Sequence, residues 1–296
     1  MPELPEVETI RRGLAPKLPG RTVARVTVDR PKLAVSHTAR PLEEDLLGQT
    51  YQAVRRIGKI LLVDLERTSV LVRLGMTGQM TFRDPGLPDA TKFSVHPVTG
   101  LQRAPQHAPD KHTHIIVEHS DGTMTCYRDI RMFGRWIAYP REQVDKAPEL
   151  LGLGPDPVAQ PEHLGEHLLL MLPKTSRAIK VALLDQSLIC GLGNIYVDEA
   201  LFGCHIHPAT PAHDLTIKQI EALAAFIPNM LERAIANRGT TFSDYRDSEG
   251  NPGHNQDSLQ VYGRYGHECF HCGSTLERLT LGGRTTTWCP TCQAHP

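Results

Sequence analysis

Four of the seven cysteines share one C-terminal window, as Cys269-x2-Cys272 and, sixteen residues later, Cys289-x2-Cys292. Each CxxC turn can aim two thiolates at one ion, and the pairing falls within the zinc-ribbon spacing, so the chemistry expected is a structural zinc site. The intervening 278–287 segment, with Gly282-Gly283 at its centre, reads as a β-hairpin. Cys126, Cys190 and Cys204 lie among apolar residues and read as buried small side chains. A second segment with chemical potential is Gly191-Leu192-Gly193-Asn194. Asn194 is a good N-cap for a helix beginning at Ile195, and the glycines let an anion approach backbone N–H groups at the positive end of the helix dipole. The same four residues also read as a simple capped turn. They are not a dinucleotide loop, because the third glycine and the surrounding βαβ unit are missing.

Charge is segregated along the chain. Basic residues recur at Arg55-Arg56-Lys59, at Arg128, Arg131 and Arg135, and at Lys174-Arg177-Lys180, while carboxylates gather at Glu3-Glu6-Glu8 and Glu43-Glu44-Asp45. Such blocks are either solvated faces or the walls of a local groove for a polyanion. The net charge of −1 argues against indiscriminate nucleic-acid binding through overall charge.

The elements that must position these residues follow from periodicity. A short helical pattern spans 5–18. Short β-rich runs follow at 22–29, 59–65, 70–76, 114–118, 124–127 and 136–139, separated by turn signals such as Asp121-Gly122, which suggests a sandwich or barrel. From about residue 160 the period becomes helical, at 162–172, 176–186, 195–202 and 215–237, the last closed by Gly239 and a candidate for a kink at Pro228. The Gly/Pro-punctuated stretch Leu151-Gly152-Leu153-Gly154-Pro155-Asp156-Pro157 marks a boundary. Residues 84–111, rich in Pro, His and Gly, read as a long surface loop. The fold class is therefore α+β, divided along the chain into 1–152 (helix plus β-sandwich), 153–262 (helical) and 263–296 (zinc ribbon).

A length of 296 residues suits more than one domain, and 40% hydrophobic with 22% charged residues excludes fibrous, disordered and disulfide-dense classes. The longest apolar runs, such as Ile60-Leu61-Leu62-Val63, are far shorter than the roughly 20 residues a bilayer requires. The acidic start, Pro2-Glu3-Leu4-Pro5-Glu6, is unlike a secretory signal, and a cytoplasmic protein is expected.

Several segments together resemble the bacterial formamidopyrimidine-DNA glycosylases and their endonuclease VIII relatives. These are Pro2-Glu3-Leu4-Pro5-Glu6-Val7-Glu8-Thr9, Gly58-Lys59, Leu74-Gly75-Met76-Thr77-Gly78, Lys111-His112-Thr113-His114 and Asp129-Ile130-Arg131-Met132-Phe133-Gly134. They continue with Ile179-Lys180, Leu183-Leu184-Asp185-Gln186, Gly193-Asn194-Ile195-Tyr196-Val197-Asp198-Glu199, Val261-Tyr262-Gly263-Arg264 and the cysteine cluster with Gly283-Arg284. The order is the family's, over nearly the whole chain, and the N-terminus favours the formamidopyrimidine branch. Residues 84–111 look like an insertion.

The resemblance implies a bifunctional DNA glycosylase and abasic-site lyase with a β-sandwich, a helix-two-turn-helix region and a zinc ribbon, with DNA crossing the cleft between domains. Removal of Met1 would leave Pro2 as a secondary α-amine, and an α-amino group titrates near neutrality, so it can act unprotonated where a lysine needs a large shift. Attack on the anomeric carbon gives an iminium ion, followed by β- and δ-elimination. The family pattern makes Pro2 the nucleophile and Glu3 the general acid–base, with Glu6 in support. By themselves Glu3 and Glu6 are first-turn carboxylates meeting a helix dipole. Lys59 is implied in β-elimination and Arg284 in δ-elimination. His112, Arg177, Lys180 and Asn194 are implied at phosphates. A base must be evicted to be processed, and Met76, Arg131 and Phe133 match the wedge that fills the gap and reads the orphaned partner. Residues 239–261 resemble the family's loop over the flipped base. Implied partners and cofactors are double-stranded DNA carrying an oxidised base or abasic site, one zinc ion, no organic cofactor and no membrane, for a monomer. Two alternatives stay open: an endonuclease VIII-like enzyme for oxidised pyrimidines, and a non-catalytic zinc-ribbon DNA-binding protein.

Overall fold

The structure, a computed structural model, describes residues 2–85, 94–95, 102–103 and 109–294. Two compact units divide the chain: Met1–Leu151 with Ile235–Gln256, and Gly152–Ala234 with Asp257–Pro296. This grouping by compactness assigns the 235–256 segment to the first unit, although it follows the helical stretch in sequence.

In the first unit, helix α1 (Leu4–Leu14) is followed by β1 (Val23–Val28), β2 (Ala34–Ser36), the short α2 (Leu42–Leu46), β3 (Tyr51–Ile57), β4 (Ile60–Leu65), β5 (Thr68–Arg73), β6 (Gly78–Arg83), β7 (Ser94–Val95), β8 (Gln102–Arg103), β9 (Thr113–His119), β10 (Met124–Asp129), β11 (Arg135–Pro140) and α3 (Pro148–Leu151). Among the described residues they form a sheet ordered β1-β9-β10-β6 and a sheet ordered β2-β11-β5-β4-β3. The pairing is antiparallel except between β11 and β2. One core joins the sheets and α1: Val7, Ile10 and Leu14 pack with Val23, Met80, Ile115, Val117 and Tyr127 of the first sheet and Val54, Leu61, Val63, Val72 and Trp136 of the second. Burying both inner faces makes this a sandwich.

The strands at 59–65 and 70–76 start and stop differently from the sequence reading. Gly58-Lys59 is the two-residue turn joining β3 to β4, with Ile57 opposite Ile60. The stretch after Arg73 leaves the sheet because Gly75 adopts a left-handed φ of 66°. The sequence reading also missed β2, β3 and β6. In β3 the run Tyr51-Gln52-Ala53-Val54-Arg55-Arg56-Ile57 hides its alternation behind two arginines whose stems are half-buried. Most of the 84–111 segment read as a surface loop lies outside the described residues; β7 and β8 are what is described of its interior.

The second unit contains α4 (Pro161–Met171), α5 (Ile179–Leu183), α6 (Asn194–Gly203) and most of α7 (Ile217–Ala236), then the hairpin β12 (Glu277–Leu281) and β13 (Arg284–Trp288). Helix α5 is shorter than the 176–186 pattern. Helix α7 continues through Pro228 as one element. A small core of Phe202, Val261, Cys269, Leu276 and Cys289 fastens the ribbon to α6. Glu199 reinforces it by accepting the backbone N–H groups of Gln260, Val261 and Tyr262 at 2.8–2.9 Å. No helix among the described residues is long and apolar enough to cross a membrane.

Candidate functional site

Chain termini usually fray; here Pro2 and Glu3 are buried. Glu3 is the N-cap of α1 and forms a capping box with Glu6, in which each carboxylate accepts the other residue's backbone N–H. The Glu3 N–H reaches Glu6 Oε2 at 2.8 Å. Pro5 in the first turn lacks the N–H that would otherwise need a partner, so the local sequence is suited to starting a helix here. Glu6 does more than cap. Its Oε1 accepts the Thr240 N–H at 2.7 Å, and Tyr245 Oη donates to its carbonyl at 3.3 Å, so Glu6 ties the chain start to the 240–245 segment of the same unit. Gly239 has no room for a side chain there, since a Cβ would lie 2.9 Å from Glu6 Oε1, and its φ of 78° is left-handed. The Met1 position lies outside the described residues.

Lys59 stands in the β3–β4 turn, half-buried. Arg56, three residues before it, belongs to a charge cluster around the buried Glu8 that the sequence reading did not single out. Glu8 accepts from Arg11 at 2.8 and 2.9 Å, Arg12 at 2.8 Å and Arg56 at 2.9 Å. Arg56 also donates to the Gly58 carbonyl at 2.9 Å. Burial pushes the Glu8 carboxyl up, but Arg11, Arg56 and Arg12 together overcome it and hold its pKa at about 2. The cluster thus runs from α1 to the turn that carries Lys59. The only sequence signal was the adjacent Arg55-Arg56 and Glu6-x-Glu8, which read as blocks of surface charge.

Met76, Arg131 and Phe133 come together on two loops of the first unit. Met76 is 37% and Phe133 55% exposed. The Arg131 guanidinium lies 4.6 Å from the Phe133 ring centroid, and its Nη1 is 3.0 Å from Met76 Sδ. Between the two protruding residues, Met132 has a left-handed φ of 55° and packs against the core, so the backbone turns its neighbours the other way. His112 is half-buried in the turn preceding β9; its N–H donates to Asp110 Oδ1 at 2.9 Å and its carbonyl accepts from Asp129 N at 3.0 Å.

In the second unit, the Cys269, Cys272, Cys289 and Cys292 sulfurs all lie within 4.8 Å of one another. The Cys269–Cys292 separation is 3.9 Å and the Cys272–Cys289 separation 3.4 Å, both far beyond a disulfide bond. Tetrahedral zinc with Zn–S bonds of about 2.3 Å needs edges of roughly 3.8 Å, and four thiolates leave no open position. The donor set therefore fits one structural zinc ion. Arg284 opens β13 directly after the Gly282-Gly283 turn, whose φ values of 54° and 71° are those of a tight hairpin, and it is exposed.

Two residues differ from their expected surroundings. Lys180 is wholly buried, with Nζ 2.6 Å from Asp198 Oδ1 and 3.1 Å from the Thr285 carbonyl, while Asp198 Oδ2 accepts the Thr287 N–H at 3.1 Å. Burial pushes the Asp198 carboxyl up, and the Lys180 ammonium beside it pulls the other way. The pair fastens β13 to α5 and α6. Asn194 is the first helical residue and not the N-cap of a helix starting at Ile195. Gly193 holds the cap position, and Asn194 Nδ2 donates to the same Thr285 carbonyl at 2.8 Å. The competing acceptor on β13 explains the shift. Arg177 is exposed, forked between Thr175 and Asp185, the latter at 2.8 Å. Cys126 and Cys190 are buried as expected, whereas Cys204 is half-buried.

Three family models match the chain: the formamidopyrimidine-DNA glycosylase N-terminal domain over residues 1–136, the formamidopyrimidine-DNA glycosylase H2TH domain over 153–246, and the zinc finger found in FPG and IleRS over 266–294. A formamidopyrimidine-DNA glycosylase of Bacillus subtilis is 39% identical over 296 residues, covering 99% of each chain. A crystal structure of the Lactococcus lactis Fpg bound to an abasic site containing DNA superposes with a TM-score of 0.82 at 30% identity, covering 99% of this chain and 100% of that one. A mutant of the same enzyme with Fapy-dG containing DNA gives a TM-score of 0.83 at the same identity and coverage.

Proposed function

Since the chain belongs to the formamidopyrimidine-DNA glycosylase family, DNA glycosylase/lyases of base excision repair, we propose that it removes oxidised purines, 8-oxoguanine and formamidopyrimidines, from double-stranded DNA and cuts the strand at the resulting site. The observation that carries this reading is the locked chain start: Pro2 buried beside a capped, buried Glu3, with Glu6 holding both to the 240–245 segment. A nucleophile works when it is held in one geometry, and a fraying terminus is not.

In the proposed sequence, the Pro2 amine, freed by removal of Met1, attacks the anomeric carbon. The bond to the base breaks, Glu3 manages the protons that release the base and open the sugar, and the product is an iminium ion on Pro2. The positive nitrogen acidifies the neighbouring sugar proton. Its loss expels the 3′ phosphate, a step we assign to Lys59; loss of the 5′ phosphate follows in the δ-elimination we assign to Arg284. Hydrolysis of the iminium frees the enzyme. Arg177, His112 and Asn194 are proposed at phosphates, Lys180 and Glu6 as supports, and Met76, Arg131 and Phe133 as the group that replaces the evicted base. Zinc supplies no step; held by Cys269, Cys272, Cys289 and Cys292, it keeps the ribbon folded so that Arg284 stands on a rigid hairpin. The protein is proposed to act as a monomer.

The test is borohydride trapping with demethionylated protein on 8-oxoguanine duplex. Reduction should freeze one protein–DNA adduct that peptide mapping assigns to Pro2, and protein retaining Met1 should give none. An adduct on an internal lysine would overturn the assignment. Faster excision of thymine glycol than of 8-oxoguanine would instead favour the endonuclease VIII-like alternative.

A further inference from the structure

The exposed Met76, Arg131 and Phe133 stand on two separate loops, 74–78 and 130–134, and something must hold these loops in register. Their junction is a single buried carboxylate. Asp129, wholly buried at the end of β10, accepts three hydrogen bonds: from Thr77 Oγ1 at 2.6 Å, from the Gly134 N–H at 2.8 Å and from Tyr127 Oη at 3.1 Å. Thr77 Oγ1, having donated its proton to Asp129, accepts the backbone N–H of Arg131 at 2.9 Å. The chain of contacts thus passes from the first loop through one hydroxyl to the peptide of the arginine on the second. The backbones meet with no space between them. A Cβ on Gly75 would lie 2.7 Å from Gly134 N and from Phe133 C, and one on Gly134 would lie 1.8 Å from Tyr127 Oη.

We infer that Asp129, acting through Thr77, is a positioning residue that fixes Arg131 relative to Met76 and Phe133 and thereby sets how strictly the enzyme reads the base opposite the lesion. This rests on the proposed role of Arg131 as reader of the partner base. All three groups donate to Asp129, so an amide in its place turns an NH2 toward at least one of them and forces that partner to reverse its role or lose the bond. Thr77 must both donate and accept, which a hydroxyl does and a methyl does not. Reading a base edge demands placement to within about half an ångström, and the side chain of Arg131 is long; anchoring its backbone N–H removes one source of slack.

The reader role predicts preference for cytosine over adenine opposite 8-oxoguanine, because the exposed cytosine edge offers acceptors to a guanidinium; loss of such a contact is about a ten- to hundredfold effect. The experiment measures single-turnover excision of 8-oxoguanine opposite cytosine and opposite adenine for the wild type, Thr77→Val, Thr77→Ser, Asp129→Asn and Arg131→Ala. Thr77→Val, nearly the same shape, should lower the cytosine:adenine ratio by about tenfold, and Thr77→Ser should restore it. Asp129→Asn should follow Thr77→Val where it folds. General loss of stability lowers both rates together and leaves the ratio alone, so the ratio separates positioning from mere structure. If Arg131→Ala flattens the ratio and Thr77→Val does not, the inference is wrong while the reader role stands. If Arg131→Ala leaves the ratio intact, the reader role fails and the inference falls with it.

Discussion

Glu3 and Glu6 sit one helical turn apart and are both buried, yet their partners differ. Glu3 accepts one backbone N–H within the capping box, whereas Glu6 accepts from Glu3 and from Thr240. Glu3→Gln keeps an oxygen for the cap and removes the ability to shuttle a proton. It should therefore lose excision of 8-oxoguanine by about a hundredfold or more, while cleaving a preformed abasic site much better, because that substrate has no base to release. Single-turnover rates on the two substrates check this; equal losses would place Glu3 outside base release. Glu6→Gln must turn an NH2 toward one of two N–H donors, so it should lower stability and both activities. Glu8 makes a pH prediction. Its folded pKa of about 2 lies below the ordinary value of 4.5, so its contribution is fully present above pH 4.5 and disappears as pH falls toward 2. The stability gap between wild type and Glu8→Gln, followed by urea unfolding, should be constant from pH 7 to about 5 and close on acidification. A gap that stays open at pH 2.5 would mean that packing, not charge, is what the substitution removes.

At the scale of elements, the Lys180–Asp198 pair shows how a residue expected at the surface becomes part of the frame. The pair joins α5 and α6 to β13, and removing one partner leaves a buried charge with no counterion, which typically costs about 3–5 kcal/mol. Lys180→Met should destabilise the protein by that order in denaturant unfolding, and Lys180→Met with Asp198→Leu should recover much of it. A double variant no more stable than the single would show that the pair is not what holds the hairpin. Much of this arrangement was legible in the sequence, but unevenly. The four-cysteine spacing, the Gly-Gly turn before Arg284 and the helical pattern of α4, α6 and α7 are local signals, and each reappears in the structure with small shifts at its ends. The helix at 176–186 shrank to Ile179–Leu183 because its first residues pair with a distant segment, the Ala212 and His213 N–H groups donating to the Arg177 and Thr175 carbonyls at 2.9 and 3.2 Å, and because Asp185 turns to accept the Ser187 N–H at 3.0 Å, none of which registers in apolar periodicity. The strand β3 stayed invisible because its two arginines serve buried acids, Arg55 to Asp64 at 2.5 Å and Arg56 to Glu8. What composition and period do not carry is which charged residue meets which. Lys180, Glu8 and Asp129 all have partners distant in sequence, so their burial emerges only once the strands and helices are placed.

At the scale of the whole molecule, a protein of net charge −1 cannot hold DNA by its overall field, so affinity must come from a few cations at defined points. On the ribbon the exposed Arg284 is the cation proposed for this, and the ribbon's small core of Phe202, Val261, Cys269, Leu276 and Cys289 includes two of the zinc ligands. Removing zinc should therefore unfold the ribbon and abolish specific binding, while the sandwich, with its own core around α1, keeps its β-sheet circular dichroism. Loss of the whole β signal on chelation would contradict that independence. The sharper measurement is the salt dependence of binding to an abasic-analogue duplex. Each phosphate neutralised contributes a slope of about 0.9 in log affinity against log salt. Arg284→Ala should lower that slope by nearly one unit, and Arg177→Ala likewise if it leaves Asp185 for a phosphate. Lys180→Met should weaken affinity without changing the slope, because its ammonium is already neutralised by Asp198 and releases no counterion from the duplex. A reduced slope for Lys180→Met would mean that the buried pair opens to meet the backbone, and the lysine would then count among the phosphate ligands after all.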